Sequence, residues 1–306
     1  MRRNLFDPDQ DLFRESAWTF VERSIAPRYE GMRERRSIDR EIWLEAGRHD
    51  FLGLSVPSAY GGAGAEDFRS NVVLSEELSR LGLGLASSFG IHTDVVAPYL
   101  LELTTDAQKE RWLPSFCSGE LITAIGMTEP AAGSDLAGLR TTARRTPGGW
   151  LLNGSKTFIT NGMSADLVVV AARTGEGRGD ISMFGVEASR PGFSRGRKLD
   201  KIGQHEVDTS ELFFEDIELT DDDLIGELNG GFRAMLERLA QERLYVAVVN
   251  VEHAAAQLDR TLQYVQEREA FGRSVGSFQN SRFALATAAT RCLRRPGRFG
   301  RLRRRG

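Results

Sequence analysis

Residues 124–138 read AIGMTEPAAGSDLAG, a run of small residues carrying two hydroxyls and two acids. Gly126, Gly133 and Gly138 permit a close approach of backbone to a bound molecule. Thr128 and Ser134 supply hydroxyls, and the amides around them can point at an anion or a carbonyl-rich ring. Glu129-Pro130 marks a turn, because proline fixes its own φ and biases the residue before it away from helix. The GxGxxG spacing of a dinucleotide fold is absent, and so is the lysine of a phosphate-binding P-loop. The chemistry on offer is that of a loop cradling a ligand through backbone and hydroxyl groups.

The elements that must position this loop fall into three stretches. The first 120 residues read as helices, with apolar spacing over 9–28, 38–49, 67–81, 85–101 and 105–118. Thr105-Asp106 is a capping pair at the start of the last of these. Pro57 and Gly61-Gly62 interrupt the series. Residues 121–225 change character. WLLNGSKTFIT, ADLVVVAA, ISMFGVE and SELFFEDIEL are β-branched and alternating, separated by Gly, Asn and Pro turns. No helical pattern intervenes, so a small antiparallel barrel or sandwich is expected rather than βαβ units. From 226 to 290 helices return. One over 230–268 is long enough to belong to a bundle, and another covers 278–290. The fold class expected is α+β.

The 306 residues are 41% hydrophobic and 27% charged, enough for a sizeable core. The net charge of −3 gives no global attraction to nucleic acid. Eight of the 40 Lys and Arg lie in the last sixteen residues with no acid, so the preceding body sets 32 bases against 43 acids. This basic tail, 291–306, has no helical period and reads as an abrupt change of sequence, such as a shifted reading frame gives, and as disordered. Two cysteines fit a reducing compartment. With no membrane-length apolar run and no secretory signal, a cytoplasmic protein is expected. His49, His92, His205 and His253 share no spacing with Cys or Asp, so no metal site is read.

The 124–138 run resembles the first signature of the flavin-dependent acyl-CoA dehydrogenases. LNGSKTFITNG, GRKLDKIG, SELFFEDIEL, LAQERL and YVQEREAFGRSVGSFQ carry the resemblance on to about residue 290. Helices, β domain and helices follow that family's plan, and the local motifs are nearest to its long-chain and isovaleryl types. The resemblance implies FAD held between the β domain and the C-terminal helices of a homotetramer built from dimers. Acyl-CoA would be the substrate and electron-transfer flavoprotein the acceptor. It implies α,β-dehydrogenation: a carboxylate takes the α-proton of a thioester while hydride leaves the β-carbon for the flavin.

That base needs a dry, apolar slot, where desolvation raises its pKa. The long-chain and isovaleryl types place it on the long helix directly before an arginine, which implies Glu242, ahead of Arg243. Arg243, Arg233 and Ser134 would contact the acyl-CoA. Ile125, Gly126, Met127, Thr128 and Ser134 would line the flavin, and Phe158, Ile159 and Thr160 would stack on its ring and bond it. Phe158 stands where the family often has Trp, keeping the stacking face and losing an N–H donor. Arg268 and Gln279 would reach a partner subunit's FAD, the fixed cation of Arg268 suiting a pyrophosphate.

The family continues well beyond the point where this chain turns basic, into a Gln-x-x-Gly-Gly signature and the rest of the bundle. The chain is therefore expected to be C-terminally truncated or frame-shifted after about residue 290, with impaired activity. Two other readings stand beside the dehydrogenase. One is an acyl-CoA oxidase or flavin monooxygenase of the same fold. The other is an inactive chain whose arginine tail binds nucleic acid.

Overall fold

The computed structural model describes the backbone of residues 5–294 and the side chains of 5–292. The basic tail expected over 291–306 therefore lies outside the described residues from 295 onward, and residues 291–294 continue the last helix.

Seven helices come first: α1 (Pro8–Phe20), α2 (Tyr29–Arg35), α3 (Arg40–Arg48), α4 (Arg69–Leu81), α5 (Leu83–Gly90), α6 (Ala97–Glu102) and α7 (Asp106–Ser118). Asp7 caps α1 and Thr105 caps α7, each in a reciprocal box with the glutamine three residues on. Two expected helices are not continuous α-helix. The 9–28 helix passes through a π segment at Val21–Ile25 and a 3₁₀ turn. The 85–101 helix becomes π at Ile91–Val96 before resuming as α6. A π turn inserts a residue and rotates the side chains that follow. Here it buries His92, Thr93 and Asp94 together.

The sheet comprises β1 (Thr123–Gly126), β2 (Thr142–Thr146), β3 (Gly149–Thr160), β4 (Leu167–Arg173), β5 (Ile181–Glu187), β6 (Phe193–Lys198), β7 (Thr209–Leu219) and β8 (Leu224–Ile225). Its order is β6-β7-β3-β2-β4-β5-β8, with β1 also on β4. Most pairings are antiparallel, but β1 runs parallel to β4, with Ile125 opposite Val169. A single bridge, Thr142 to Arg173, joins the two halves. The path is open rather than a closed barrel. Strands β4 and β5 are largely apolar because both faces are covered. Val168, Val170, Phe184 and Val186 face the core shared with β3 and β7. Leu167, Val169, Ile181 and Met183 face Trp112, Leu113 and Phe116 of α7.

Helix α8 (Gly231–Glu267) then runs 37 residues, about 55 Å at the α-helical rise. It packs on α4, α5, the π segment and β5. A small hairpin, β9 (Glu269–Ala270) with β10 (Arg273–Ser274), turns the chain into α9 (Gln279–Arg294). Among the described residues no helix is long and apolar enough to cross a membrane.

Candidate functional site

Strand β1 delivers the 124–138 loop. Ala124 and Ile125 are buried in the sheet, and the chain leaves it at Met127. Glu129 closes the loop on itself. Its backbone exchanges bonds with Ala132 (2.9 and 3.1 Å), and its carboxylate accepts from the amides of Arg140 (2.6 Å) and Thr141 (3.0 Å). Arg173 holds the far side through the carbonyls of Ala137 and Leu139. What remains outward is the edge carrying Gly133 and Ser134, both exposed, with open space where a Cβ on Gly133 would stand.

The end of β3 lies beside this loop. Thr157 N donates to Thr128 O at 2.9 Å. Lys156, fully buried, places its ammonium 2.7 Å from Glu129 Oε1 and 3.4 Å from Met127 O. The ammonium and the loop amides hold the Glu129 carboxyl below its usual range against the opposing effect of burial. Phe158 then adopts φ +58° with its ring two-thirds exposed, while Ile159 turns into the sheet core. So Phe158 offers a ring face, whereas the Ile159 side chain is buried and its carbonyl accepts from Gly162 N at 3.1 Å. Thr160 lines a groove of about 800 Å³ whose other walls include Lys201, His205 and Arg260. Asn161, buried at φ +62°, donates to Ser88 O and Thr123 O and ties β3 to α5 and β1.

Glu242 projects from α8 on the face that also carries Arg238 and Tyr245, one turn before and one after. The face is buried: Tyr245 is 4% exposed and donates to Ala86 O. Glu242 Oε1 is buried with no hydrogen-bond partner. Desolvation raises the Glu242 pKa, opposed by Arg238 and Arg243. A carboxylate so placed is a candidate proton acceptor.

Other expected residues stand apart. Arg243 is exposed on the next helical step. Arg233 is two and a half turns earlier, on the opposite side of α8 by its period, and pairs with Glu227 at 3.1 Å. Arg268 ends α8 and Gln279 begins α9, both exposed. The helical rise puts Arg268 about 39 Å from Glu242. Within one subunit, then, the Thr157–Thr128 bond sets Phe158 beside Thr128, while Thr160 lines a groove that α8 reaches through Arg260. A cleft of about 730 Å³ between α8 and α9, lined by Leu258, Phe283 and Ala288, contains none of the expected residues.

Comparison with known proteins agrees with this arrangement. The N-terminal, middle and C-terminal domains of acyl-CoA dehydrogenase match residues 7–120, 124–217 and 229–293. The mouse (Mus musculus) mitochondrial long-chain specific acyl-CoA dehydrogenase is 39% identical over 94% of this chain and 67% of its own. The chain belongs to the acyl-CoA dehydrogenase family. Mitochondrial isovaleryl-CoA dehydrogenase of Arabidopsis thaliana is 37% identical over 90% of this chain and 68% of its own. Among solved structures, an acyl-CoA dehydrogenase of Geobacillus kaustophilus has 43% identity and a TM-score of 0.91, covering 95% of this chain and 77% of that one. A glutaryl-CoA dehydrogenase of Mycobacterium smegmatis, solved with FADH2, has 29% identity and a TM-score of 0.86, covering 95% and 74%.

Within this acyl-CoA dehydrogenase architecture, sequence reading missed four residues that hold the site. Lys156 and Asn161 stand inside LNGSKTFITNG, where polar residues mixed into a strand gave no signal that these two are buried. Tyr99 and Arg238 carried none, because their meeting depends on how α6 packs against α8.

Proposed function

We propose that this chain is an FAD-dependent acyl-CoA dehydrogenase with Glu242 as its base. The observation that carries the reading is the buried, unpartnered Glu242 Oε1 on a desolvated helix face. Such an atom is costly to leave unmade and is satisfied by the acidic α-C–H of a thioester.

The residues present fit the cofactor. The exposed Phe158 ring gives a stacking face, and the edge at Thr128, Gly133 and Ser134 is open. Ile125, Gly126, Met127 and Thr128, with Phe158, the Ile159 backbone and Thr160, would hold the flavin, and Ser134 its pyrophosphate end. When bound, FAD supplies the acceptor for the hydride leaving Cβ. The chain's own groups do the rest. Glu242 accepts the α-proton, and the apolar face around it excludes water and so keeps the carboxylate a strong base. Arg243 and Ser134 would meet the acyl-CoA, and Arg233, from the other side of α8, a more distant part of the same extended ligand.

Arg268 and Gln279 are assigned to a partner subunit's FAD. The roughly 39 Å along α8 between Arg268 and Glu242 supports that reading. The exposed Val246, Tyr264, Phe271 and Phe283 supply apolar surface for such partners. A homotetramer, electron-transfer flavoprotein as acceptor, cytoplasmic placement, and domains at 1–120, 121–225 and 226–290 belong to the same proposal.

Anaerobic mixing of the purified yellow protein with acyl-CoA thioesters tests it. Loss of flavin absorbance is expected with the wild type and not with Glu242→Gln. Bleaching at an unchanged rate in that variant would overturn the base assignment, and a protein that binds no flavin would overturn the cofactor.

A further inference from the structure

Arg238 sits one turn before Glu242 on the buried face of α8, with a side chain only 9% exposed. Its placement is over-determined. One guanidinium nitrogen meets Glu102 Oε2 of α6 at 2.6 Å, and another donates to Ala234 O at 3.1 Å. The guanidinium plane lies 5.0 Å from the centre of the Tyr99 ring, also on α6. Buried arginines are rare and costly unless paired. Yet Arg238 Nε has no partner, nor has Tyr99 Oη, nor Glu242 Oε1. Three orphaned polar atoms thus occur in one small region where α6 meets α8.

We propose that Arg238 is a positioning residue for the base: clamped by Glu102 and Tyr99, it is the fixed counter-charge that holds Glu242 ionised and oriented before substrate enters. The inference rests on Glu242 being the base. The reasoning is electrostatic. A carboxylate in a dry slot tends to take up a proton and lose its power to accept another, and a cation one turn away resists that. Arginine suits the role because it cannot itself lose its charge there. Glu102 fixes the cation from the solvent side, where its own charge is screened.

Other charged and titratable groups facing this region are few. From α8 come Glu237, exposed and 3.9 Å from the Arg238 guanidinium, Arg243, which is also exposed, and Tyr245. From α6 come Tyr99 and Glu102, and from the π segment the buried Asp94. Helix α5 brings none, α4 brings Glu76 and Glu77, engaged with Arg14, and β5 brings Glu187, engaged with Arg111. The arginines of α9, Arg282 and Arg291, lie beyond the far half of α8. Burial and the Arg238 charge are the two largest influences on the Glu242 carboxyl, and they oppose each other.

The test uses flavin-loaded protein labelled with [δ-13C]glutamate, titrated by 13C NMR, with Glu242→Gln assigning the resonance. Arg238→Gln is expected to raise the Glu242 midpoint by about one pH unit. Arg238→Lys should return it most of the way. Glu102→Gln, which loosens the clamp on that cation, should raise it by a smaller amount. A purely structural disturbance would not be rescued by lysine, which restores the charge. In stopped-flow bleaching, Arg238→Gln should lose rate about ten-fold at a pH one unit below the wild-type midpoint and keep it well above. An unmoved midpoint in Arg238→Gln overturns the proposal. If that variant does not fold, Glu102→Gln decides alone: a raised midpoint supports it, and an unmoved or lowered one overturns it. Failure of Glu242→Gln to stop bleaching would overturn the underlying base assignment instead, and the titration would still report the Arg238 effect.

Discussion

Lys156 Nζ lies 2.7 Å from Glu129 Oε1, and both side chains are buried. The pair joins the two segments that flank the proposed flavin position, because Glu129 belongs to the loop after β1 and Lys156 to β3. Each partner also serves the loop backbone, Lys156 through Met127 O and Glu129 through the amides of Arg140 and Thr141. The clasp, with the Thr157 N–Thr128 O bond, fixes how Thr128 and Phe158 stand relative to each other.

Lys156→Met should break this arrangement from one side. It leaves the Glu129 carboxylate buried without its cation, at a cost of about 3–5 kcal/mol. Urea unfolding should show that loss, and the purified variant should retain little FAD. Glu129 tightens the expectation through pH. Its folded pKa is held below the unfolded value, so its contribution is present above the unfolded pKa and is lost as pH falls through the folded one. Acid should release flavin from the wild type before the helices unfold. Full flavin content in Lys156→Met would show that the loop holds its shape without the clasp.

Gly90 and Tyr245 are a second close relationship. A Cβ on Gly90 would stand 2.1 Å from Tyr245 Cζ and 2.2 Å from its Oη. Tyr245 is one turn beyond Glu242 and is anchored to Ala86 O. Gly90→Ala must push the ring, and with it α8, off α5. Overpacking of this kind costs about 1–3 kcal/mol. Tyr245→Ala should itself destabilise by leaving a cavity. The double variant should then be less destabilised than the two singles summed, since the added methyl enters the vacated space. Additive losses in denaturant unfolding would count against direct contact.

His92 and Asp94 lie two residues apart in the π segment, both buried and with opposite pH signatures. Burial lowers the His92 pKa to about 3, with the Phe116 carbonyl opposing, and raises the Asp94 pKa to about 6, with Thr93 and Asn71 opposing. The unfolded chain protonates His92 first, so stability falls as pH drops from about 6.5 toward 3. The unfolded chain ionises Asp94 first, so stability falls as pH rises from about 4 toward 6. Across pH 4–6 the two slopes oppose. Asp94→Asn should remove one of them. The variant should gain about 2–3 kcal/mol over wild type above pH 6 and nothing near pH 4. A pH-independent difference in urea titrations would show that Asp94 does not ionise on unfolding.

Much of this was legible in local sequence. Thr105-Asp106 with Gln108 announces the start of α7, and the periodic run ending near Arg268 announces α8, because capping and periodicity act over one or two turns. The apolar strings of β4 and β5 marked strands, though the α7 helix covering their second face could not be read from them. The π segments were not legible, since one extra residue per turn leaves composition unchanged. Arg268, Gln279 and Glu242 were found as members of motifs, but the distance between them follows only from the length of α8. Glu129 and Lys156 are 27 residues apart and of types that usually mark surface, so only the folded sheet reveals them as a buried pair. Arg238 reads as one charge among Glu237, Glu242 and Arg243 until α6 is placed against it.

Phe158 joins strain to exposure, and that combination can be separated experimentally. A bulky residue at φ +58° is held in a conformation that costs about 1–3 kcal/mol, and its two-thirds-exposed ring returns little of that through burial. The strain is explained if the ring serves a ligand. Phe158→Ala removes the ring and keeps the strained Cβ, whereas Phe158→Gly removes both. Both variants should weaken FAD binding by about ten-fold or more, since each loses the stacking face. Their stabilities should differ: the glycine variant is expected to exceed the alanine variant by about 1 kcal/mol, the relief of backbone strain outweighing glycine's greater unfolded-state freedom. Isothermal titration with FAD and thermal unfolding of the apoproteins give the two readings separately. Unchanged affinity in both would remove Phe158 from the flavin site, and equal stabilities would remove strain from the account.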